Sequence, residues 1–359
     1  MSRGQLDAGR ELRLEDLEYD LPDDLVAQAP AEPRDASRLL VYDRAGDLVR
    51  DRRFADLPGL LRPGDVLVRN DTRVFPARAH FRRATGGRVE ALFLHPVRRE
   101  GGDVWEVLLR GKPRAGETVV NEALAEWRVC CERPLGDGRW VVASLGPRRV
   151  LDLLEEAGVT PLPPYIHGAV DDPERYQTIY ARVVGSAAAP TAGLHFSPAV
   201  DGALADAGVV IETVTLHVGL GTFRPLREET LAAGVLHRES YEVDAAAWRR
   251  LRTAVSEGRR IVAVGTTSLR VLETLARRTW PDAQAPARGV LAGTTDLFIA
   301  PGFEFAMTGG LLTNFHLPRT SLLALVMAFC GVARTRALYA HAVRERYRFY
   351  SFGDAMLAL

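Results

Sequence analysis

Apolar runs of four to eight residues, each closed by a polar turn, recur along this chain and fall into two textures. In the first, such runs alternate with amphipathic stretches of about ten residues, the mark of strands feeding helices. Leu39–Tyr42 and Leu48–Phe54, divided by the turn Arg44-Ala45-Gly46-Asp47, predict a hairpin. Asp65–Asn70 predicts a short strand that ends in the polar cluster Asn70-Asp71-Thr72-Arg73. Beyond residue 195, strands are expected at 209–216, 236–243, 260–264, 295–299 and 311–314. Helical spacing marks 199–207, 245–257, 269–278 and the apolar stretch 321–329.

The second texture occupies residues 73 to 150. Short runs such as Val89–Leu94, Val104–Arg110 and Trp140–Ala143 are punctuated there by Gly86-Gly87, Gly101-Gly102 and Gly136-Asp137-Gly138. Closely spaced short strands with Gly-rich turns predict a small antiparallel barrel. Helical periodicity resumes at Val150, with Gly158 as the expected stop. The economical architecture is α/β. A main α/β domain of residues 1–72 and 151–359 is interrupted by an inserted antiparallel β-barrel domain at 73–150, and residues 1–13 read as a loose tail.

Composition narrows the class. With 47% hydrophobic and 26% charged residues over 359 positions, the chain can bury a substantial core and is not a disordered sequence. A formal net charge of zero provides no global field for nucleic acid, although a local basic stripe can sit inside a neutral total. Three cysteines, Cys130, Cys131 and Cys330, have no paired spacing, which suits a reducing cytoplasm. The start has no signal-peptide pattern, and the longest apolar run, Leu322 to Ala333, is shorter than the ~20 residues a bilayer requires, so no membrane role is expected. CxxC and HExxH spacings are absent, as are a Walker A loop and a Rossmann fingerprint, and no metal is expected.

Chemistry concentrates in turns. Ala189-Pro190-Thr191-Ala192-Gly193-Leu194-His195-Phe196, Leu216-His217-Val218-Gly219-Leu220-Gly221-Thr222-Phe223 and Leu312-Thr313-Asn314-Phe315-His316-Leu317-Pro318 each set a histidine among Gly, Thr, Asn or Pro. Such segments bring backbone close to a ligand while presenting a hydroxyl and an imidazole. Three of them predict one composite active site. His237 and Glu239 share a strand face if 236–243 is extended. Gly265-Thr266-Thr267-Ser268 enters a helix with Arg270 one turn in, which suits a carboxylate or phosphate. Arg344 to Tyr350 interleaves arginines with aromatics, the pattern that grips RNA loops or simply packs a helix exit.

These segments resemble the S-adenosylmethionine:tRNA ribosyltransferase-isomerase family of queuosine biosynthesis, often called QueA. The likeness runs from about Leu17 to Met356 and includes Leu67–Arg78, Pro161–Ile166, Tyr176–Tyr180, Val264–Arg270, Pro301-Gly302-Phe303 and Tyr347–Met356 besides the three histidine turns. It implies an α/β fold with an inserted barrel and a transferase that uses S-adenosylmethionine as ribosyl donor. The ribosyl unit would pass to the 7-aminomethyl-7-deazaguanine at the wobble position of tRNA and rearrange to epoxyqueuosine, with adenine and methionine released.

The resemblance also implies roles. A base near the sulfonium removes a C5′ proton, with His195 or His217 favoured and His237, Glu239 and His316 as further candidates. Asn314 or His316 would meet the departing adenine. Gly265, Thr266, Thr267 and Arg270 would hold the methionine carboxylate or a phosphate. Asn70, Thr72, Thr191, Gly193, Gly219, Gly221, Thr222, Tyr347 and Asp354 are further substrate-binding candidates, and Arg73, Arg346 and Arg348 are candidates for tRNA contact. The protein is expected to be a monomer. One position departs from the family: Gly234 stands where members commonly carry a histidine. Transfer to a non-tRNA acceptor, or RNA binding without catalysis, are the competing readings.

Overall fold

The structure, a computed structural model, describes residues 12–97, 99, 102–163, 165–166, 172–219, 226–279 and 288–359. Gly221 and Thr222 lie outside the described residues, as does most of the N-terminal tail. Two compact units divide the chain: Met1–Thr72, Pro164–Val183 and Ala189–Leu359 form one, and Arg73–Pro163 with Val184–Ala188 the other.

All five residues of Val66–Asn70 are buried, so this strand must be covered on both faces. It lies inside a nine-stranded mixed sheet. In chain order the strands are β1 (Arg38–Asp43), β2 (Leu48–Arg53), β3 (Val66–Asn70), β4 (Val210–Leu216), β5 (Val235–Asp244), β6 (Ile261–Val264), β7 (Val290–Leu297), β8 (Thr308–Asn314) and β9 (Ala355–Ala358). Their order across the sheet is β7-β5-β4-β3-β6-β8-β9-β1-β2. The adjacent strands β4, β3, β6 and β8 are parallel, so their C-terminal ends open on one edge. Leu39, Phe54, Leu67, Phe196, Leu204, Val262, Leu312 and Leu357 form a continuous apolar cluster in this unit.

β9 was not anticipated from the sequence. Ala355–Ala358 is a short apolar run that gains its identity by pairing in parallel with β1 and antiparallel with β8. β7 begins five residues before the expected 295–299 strand. The helix of Ser321–Cys330 starts at Thr320, whose hydroxyl accepts from the Leu323 amide, and ends at Gly331 with φ +86°. Gly234 has a comparable backbone role. It caps the helix Glu228–Ala233 in the left-handed region at φ +63°, a conformation that a histidine adopts less readily than glycine.

The second unit is a closed antiparallel barrel of six strands, ordered Arg139–Leu145, Val104–Arg110, Arg88–Val97, Arg78–Arg83, Glu117–Asn121 and Arg128–Gly136. Its interior is aromatic: Phe81 meets Trp127 edge-on at 5.0 Å and Phe93 meets Trp105 at 5.9 Å. The helix Val150–Ala157, expected in the α/β domain, belongs to this unit. Val150, Leu153 and Leu154 are buried, the Val150 amide donates to Asp103, and Val159 bridges to Arg78.

Gly158 ends that helix, though not through a left-handed cap, since its φ is −83°. A Cβ there would lie 2.0 Å from the Pro76 carbonyl oxygen and 2.4 Å from that of Leu154. Both neighbours are backbone and cannot swing aside. Gly158→Ala is therefore expected to destabilise the protein by about 1–3 kcal/mol, the usual cost of overpacking. Urea denaturation measures it, and an unchanged midpoint would mean the helix shifts freely on the barrel.

Candidate active site

The parallel strands end at Leu216, Asn70, Val264 and Asn314, and ligands of open α/β sheets bind outside such carboxyl ends. The segments that follow Leu216, Val264 and Asn314, together with Pro190 and Thr191, line a cleft of about 380 Å³, walled by Val218, Gly265, Thr266, Thr267, Thr313 and His316. Residues far apart in the sequence thus meet because three of the parallel strands stop on one edge beside the Pro190-Thr191 segment. Gly265 takes φ +83° so that the chain turns directly from β6 into the helix Gly265–Thr279, leaving that helix's first amides at the cleft.

The three histidine turns converge as backbone, but their imidazoles do not share one cavity. Of the described histidines, His316 lines the cleft. It is 8% exposed, and its Nε2 lies 2.8 Å from the Thr313 hydroxyl. Its backbone is fixed by two tyrosines: its amide donates to Tyr339 at 3.0 Å and its carbonyl accepts from Tyr19. Burial drives its pKa down to about 3. His217 is half-buried, with Nδ1 2.9 Å from Thr72 Oγ1, and burial lowers its pKa as well.

His195 is placed elsewhere. Its Nδ1 pairs with Ser37 Oγ at 2.8 Å, Asn314 Nδ2 lies 3.3 Å from its Nε2, and Phe54 stacks on its ring. It borders a smaller cavity with Arg34, Ser351 and Phe352. Burial, with the nearby charges of Arg348 and Arg34, pushes its pKa down to about 3. The network gives Nε2 the acceptor role toward Asn314 and Nδ1 the proton for Ser37.

A second, larger cavity of about 520 Å³ adjoins the cleft. Leu322 lines both, and the consecutive residues Val218 and Gly219 line one each. His237 stands exposed on its wall, two positions from the buried Glu239. Glu239 Oε1 accepts from the Gly219 amide at 2.8 Å, and Oε2 pairs with Arg270. Arg270 also donates to the carbonyls of Leu297 at 3.0 Å and Thr295 at 3.5 Å. Its guanidinium is committed to this network, which removes it from the expected carboxylate grip.

Several other expected contacts are structural. Asn70 is fully buried and its amide is saturated. Nδ2 donates to the Leu216 carbonyl at 3.0 Å and to Thr267 Oγ1 at 3.2 Å, while Oδ1 accepts from the amides of Leu216 at 3.0 Å and Thr72 at 3.2 Å. Gly193 is glycine because a Cβ would sit 2.1 Å from the Tyr180 hydroxyl. Tyr347 is wholly buried, donates to Asp51 and carries the Arg38 guanidinium 3.7 Å from its ring centre. Asp354, also buried, accepts from the amides of Arg38 and Arg348 at 2.9 and 2.8 Å. Arg346 is exposed and paired with Asp24, and Arg348 donates to the Ala29 carbonyl at 3.3 Å. Arg73 falls in the barrel unit.

Asn314 donates to the Tyr350 carbonyl at 2.9 Å, but its Oδ1 is buried without a partner among the described residues. Among those residues no cluster of His, Cys, Asp and Glu is placed to hold a metal ion, and no single helix is long and apolar enough to cross a membrane. Leu322 and Leu325 line the two cavities without having been singled out, since nothing in their sequence context separates them from helix packing.

A polar cleft at the carboxyl edge of a parallel sheet, lined by a helix N-terminus and a neutral imidazole, defines a small-molecule-binding α/β protein with a separate barrel. The chain belongs to the queuosine biosynthesis protein family, whose profile it matches over residues 14–358. It is 49% identical over 348 residues to the S-adenosylmethionine:tRNA ribosyltransferase-isomerase of Rubrobacter xylanophilus, covering 97% of this chain and 98% of that one. It is 48% identical over 355 residues to the Moorella thermoacetica protein of the same name, covering 97% and 100%. A crystal structure of S-adenosylmethionine tRNA ribosyltransferase from Thermotoga maritima aligns with a TM-score of 0.54 at 36% identity, covering 96% of this chain and 100% of that one.

The buried histidines make stability depend on pH. His195 and His316 stay neutral down to about pH 3 when folded, whereas an unfolded histidine takes up its proton near pH 6.5. The unfolded state therefore binds more protons between those values, and stability falls as pH drops through that window. Each histidine contributes a slope of at most ~1.4 kcal/mol per pH unit. Urea midpoints are expected to be flat above pH 7 and to fall toward pH 4, less steeply in His195→Asn or His316→Asn. An equal slope in both variants would assign the effect to carboxylates.

Proposed function

We infer that this chain is an S-adenosylmethionine:tRNA ribosyltransferase-isomerase. It moves the ribosyl part of S-adenosylmethionine to the aminomethyl group of 7-aminomethyl-7-deazaguanine at the tRNA wobble position, giving epoxyqueuosine and releasing adenine and methionine. As an enzyme acting on tRNA it works in the cytoplasm. Family membership supports this reading, and one observation in the fold carries its chemistry: four sequence-remote turns form a single cleft whose imidazole is uncharged.

An uncharged wall suits this donor. The sulfonium carries a fixed positive charge, so an imidazolium beside it would repel the substrate. A neutral imidazole instead accepts a proton, and the sulfonium makes the adjacent C5′ hydrogens acidic. His316, which lines the cleft, is the first candidate for that base, and His217, bonded to Thr72, is the second. His195 ranks below both because each of its ring nitrogens is engaged and it borders a different cavity. The amides of Gly265–Thr267 and the hydroxyls of Thr191 and Thr266 receive the methionine carboxylate. Arg73, Arg346 and Arg348 remain candidates for tRNA phosphates.

The test is adenine release from S-adenosylmethionine, with and without tRNA bearing the aminomethyl-deazaguanine. Release that requires this tRNA, with a matching mass gain on the base, is the expected result. His316→Ala and His217→Ala should lower kcat by about 100-fold or more for whichever residue is the base, with little effect on tRNA affinity. Release with another acceptor, or none at all, would overturn the tRNA assignment.

A further inference from the structure

The zero net charge of the chain hides a division. Arg73–Pro163, nearly all of the barrel unit, carries fifteen Lys and Arg residues against twelve Asp and Glu. Part of that surplus is gathered on one face. The strands Arg78–Arg83, Arg88–Val97 and Val104–Arg110 turn Ala79, Phe81, Val89, Ala91, Val107 and Leu109 inward. The alternate positions Arg78, His80, Arg82, Arg88, Glu90 and Arg110 therefore share the outer face. Two carboxylates serve it among the described residues. Glu90 lies 3.9 Å from Arg78, 3.8 Å from Arg110 and 3.7 Å from His80. Glu122 lies 3.1 Å from Arg82 and 3.3 Å from Arg88. Four guanidinium groups thus share two negative charges.

Stability does not explain this surplus. Arg82 and Arg88 are direct cross-strand partners, an opposition of like charges that weakens a sheet. The side chains of Arg88 and Arg110 are 76% and 82% exposed, and ion pairs so open to water contribute little. Resting on the reading above, we propose that this face of the barrel docks a double-stranded stem of the tRNA through its phosphates. Guanidinium groups spread over strands about 5 Å apart suit a row of phosphate oxygens. Unpaired RNA bases are held differently, by stacking on exposed aromatic rings. Phe81, Phe93 and Trp105, the Phe and Trp rings of these three strands, are all buried. A face with surplus arginine and no such ring to stack on fits a duplex, whose bases are already stacked. The barrel then supplies affinity and orientation, and reading of the wobble base is left to the α/β unit.

Fluorescence anisotropy on the whole protein, with labelled tRNA bearing the aminomethyl-deazaguanine and a series of salt concentrations, tests the face without turnover. In the Arg88→Gln/Arg110→Gln double variant the slope of log affinity against log salt should shrink by about 2. Affinity should fall about tenfold or more near ~0.1 M salt. Arg88→Lys/Arg110→Lys keeps the charge and should stay within about threefold of wild type, which controls for misfolding. Arg133→Gln, on the strand opposite Arg88–Val97 in the barrel, should change neither affinity nor slope. In turnover the double variant should raise the KM for tRNA and leave kcat and the KM for S-adenosylmethionine unchanged. An unchanged slope, an equal loss in Arg133→Gln, no recovery in the lysine pair, or a lowered kcat at saturating tRNA would overturn the proposal. Duplex RNA should compete better than single-stranded RNA of the same length, and equal competition would overturn the choice of a stem. Salt-dependent tRNA binding without adenine release would sink the ribosyl-transfer reading and leave the face to be decided by the slope. No tRNA binding by wild type would sink both.

Discussion

Asn70 is the joint on which the site depends. It ends β3, and its single amide group bonds to the Leu216 backbone, Thr267 and the Thr72 amide. Those contacts fasten β4, the start of the Gly265–Thr279 helix and the exit of the chain toward the barrel unit. Thr72, held in this way, positions the His217 imidazole. Asp71 extends the joint by accepting from Thr215 at 2.6 Å and pairing with Arg182. A fully buried amide with all its capacity used specifies one arrangement, because any shift leaves a polar atom without a partner at a cost of about 1–3 kcal/mol. The family resemblance at this segment is thus explained by architecture as much as by ligand contact.

Electrostatics in this unit follow a single division. The buried positive charge of Arg270 is locked into its pair with Glu239, and the cleft imidazole is neutral. Two like unit charges about 5 Å apart cost roughly 3 kcal/mol at an effective dielectric of 20, enough to reduce binding of a cationic donor about a hundredfold. Burial of His316 avoids that cost, since desolvation alone holds it uncharged. The same burial lowers stability in acid, so the packing around His316 also bears on the pH range of the fold.

The strands of the main sheet were largely legible because each is a local apolar run with a polar terminator. Val66–Asn70, Val210–Leu216 and Ile261–Val264 lie close to where periodicity put them. β9 was not, since four apolar residues acquire strand identity only from two distant neighbours. The histidine turns were legible as chemistry but not as geometry. His195, His237 and His316 look alike in sequence, yet they border three different cavities, and His217 lines none of them. Tyr347 and Asp354 resembled ligand groups and proved to be internal anchors, because an aromatic or a carboxylate reads the same whether it faces solvent or core.

The sequence by itself determined the family, the alternation of strand and helix, the change of texture at residue 73 and the set of polar turns that carry chemistry. Those are properties of contiguous residues, and contiguous residues are what hydrophobic period and turn composition report. Tertiary structure alone decided which turns share a cavity, which arginine is already spent on a carboxylate and which imidazole meets the cleft. It also moved the Val150–Ala157 helix into the barrel unit. These outcomes depend on pairings between segments more than a hundred residues apart, such as Asn70 with Leu216 and Thr267, which only the folded chain brings within hydrogen-bond reach.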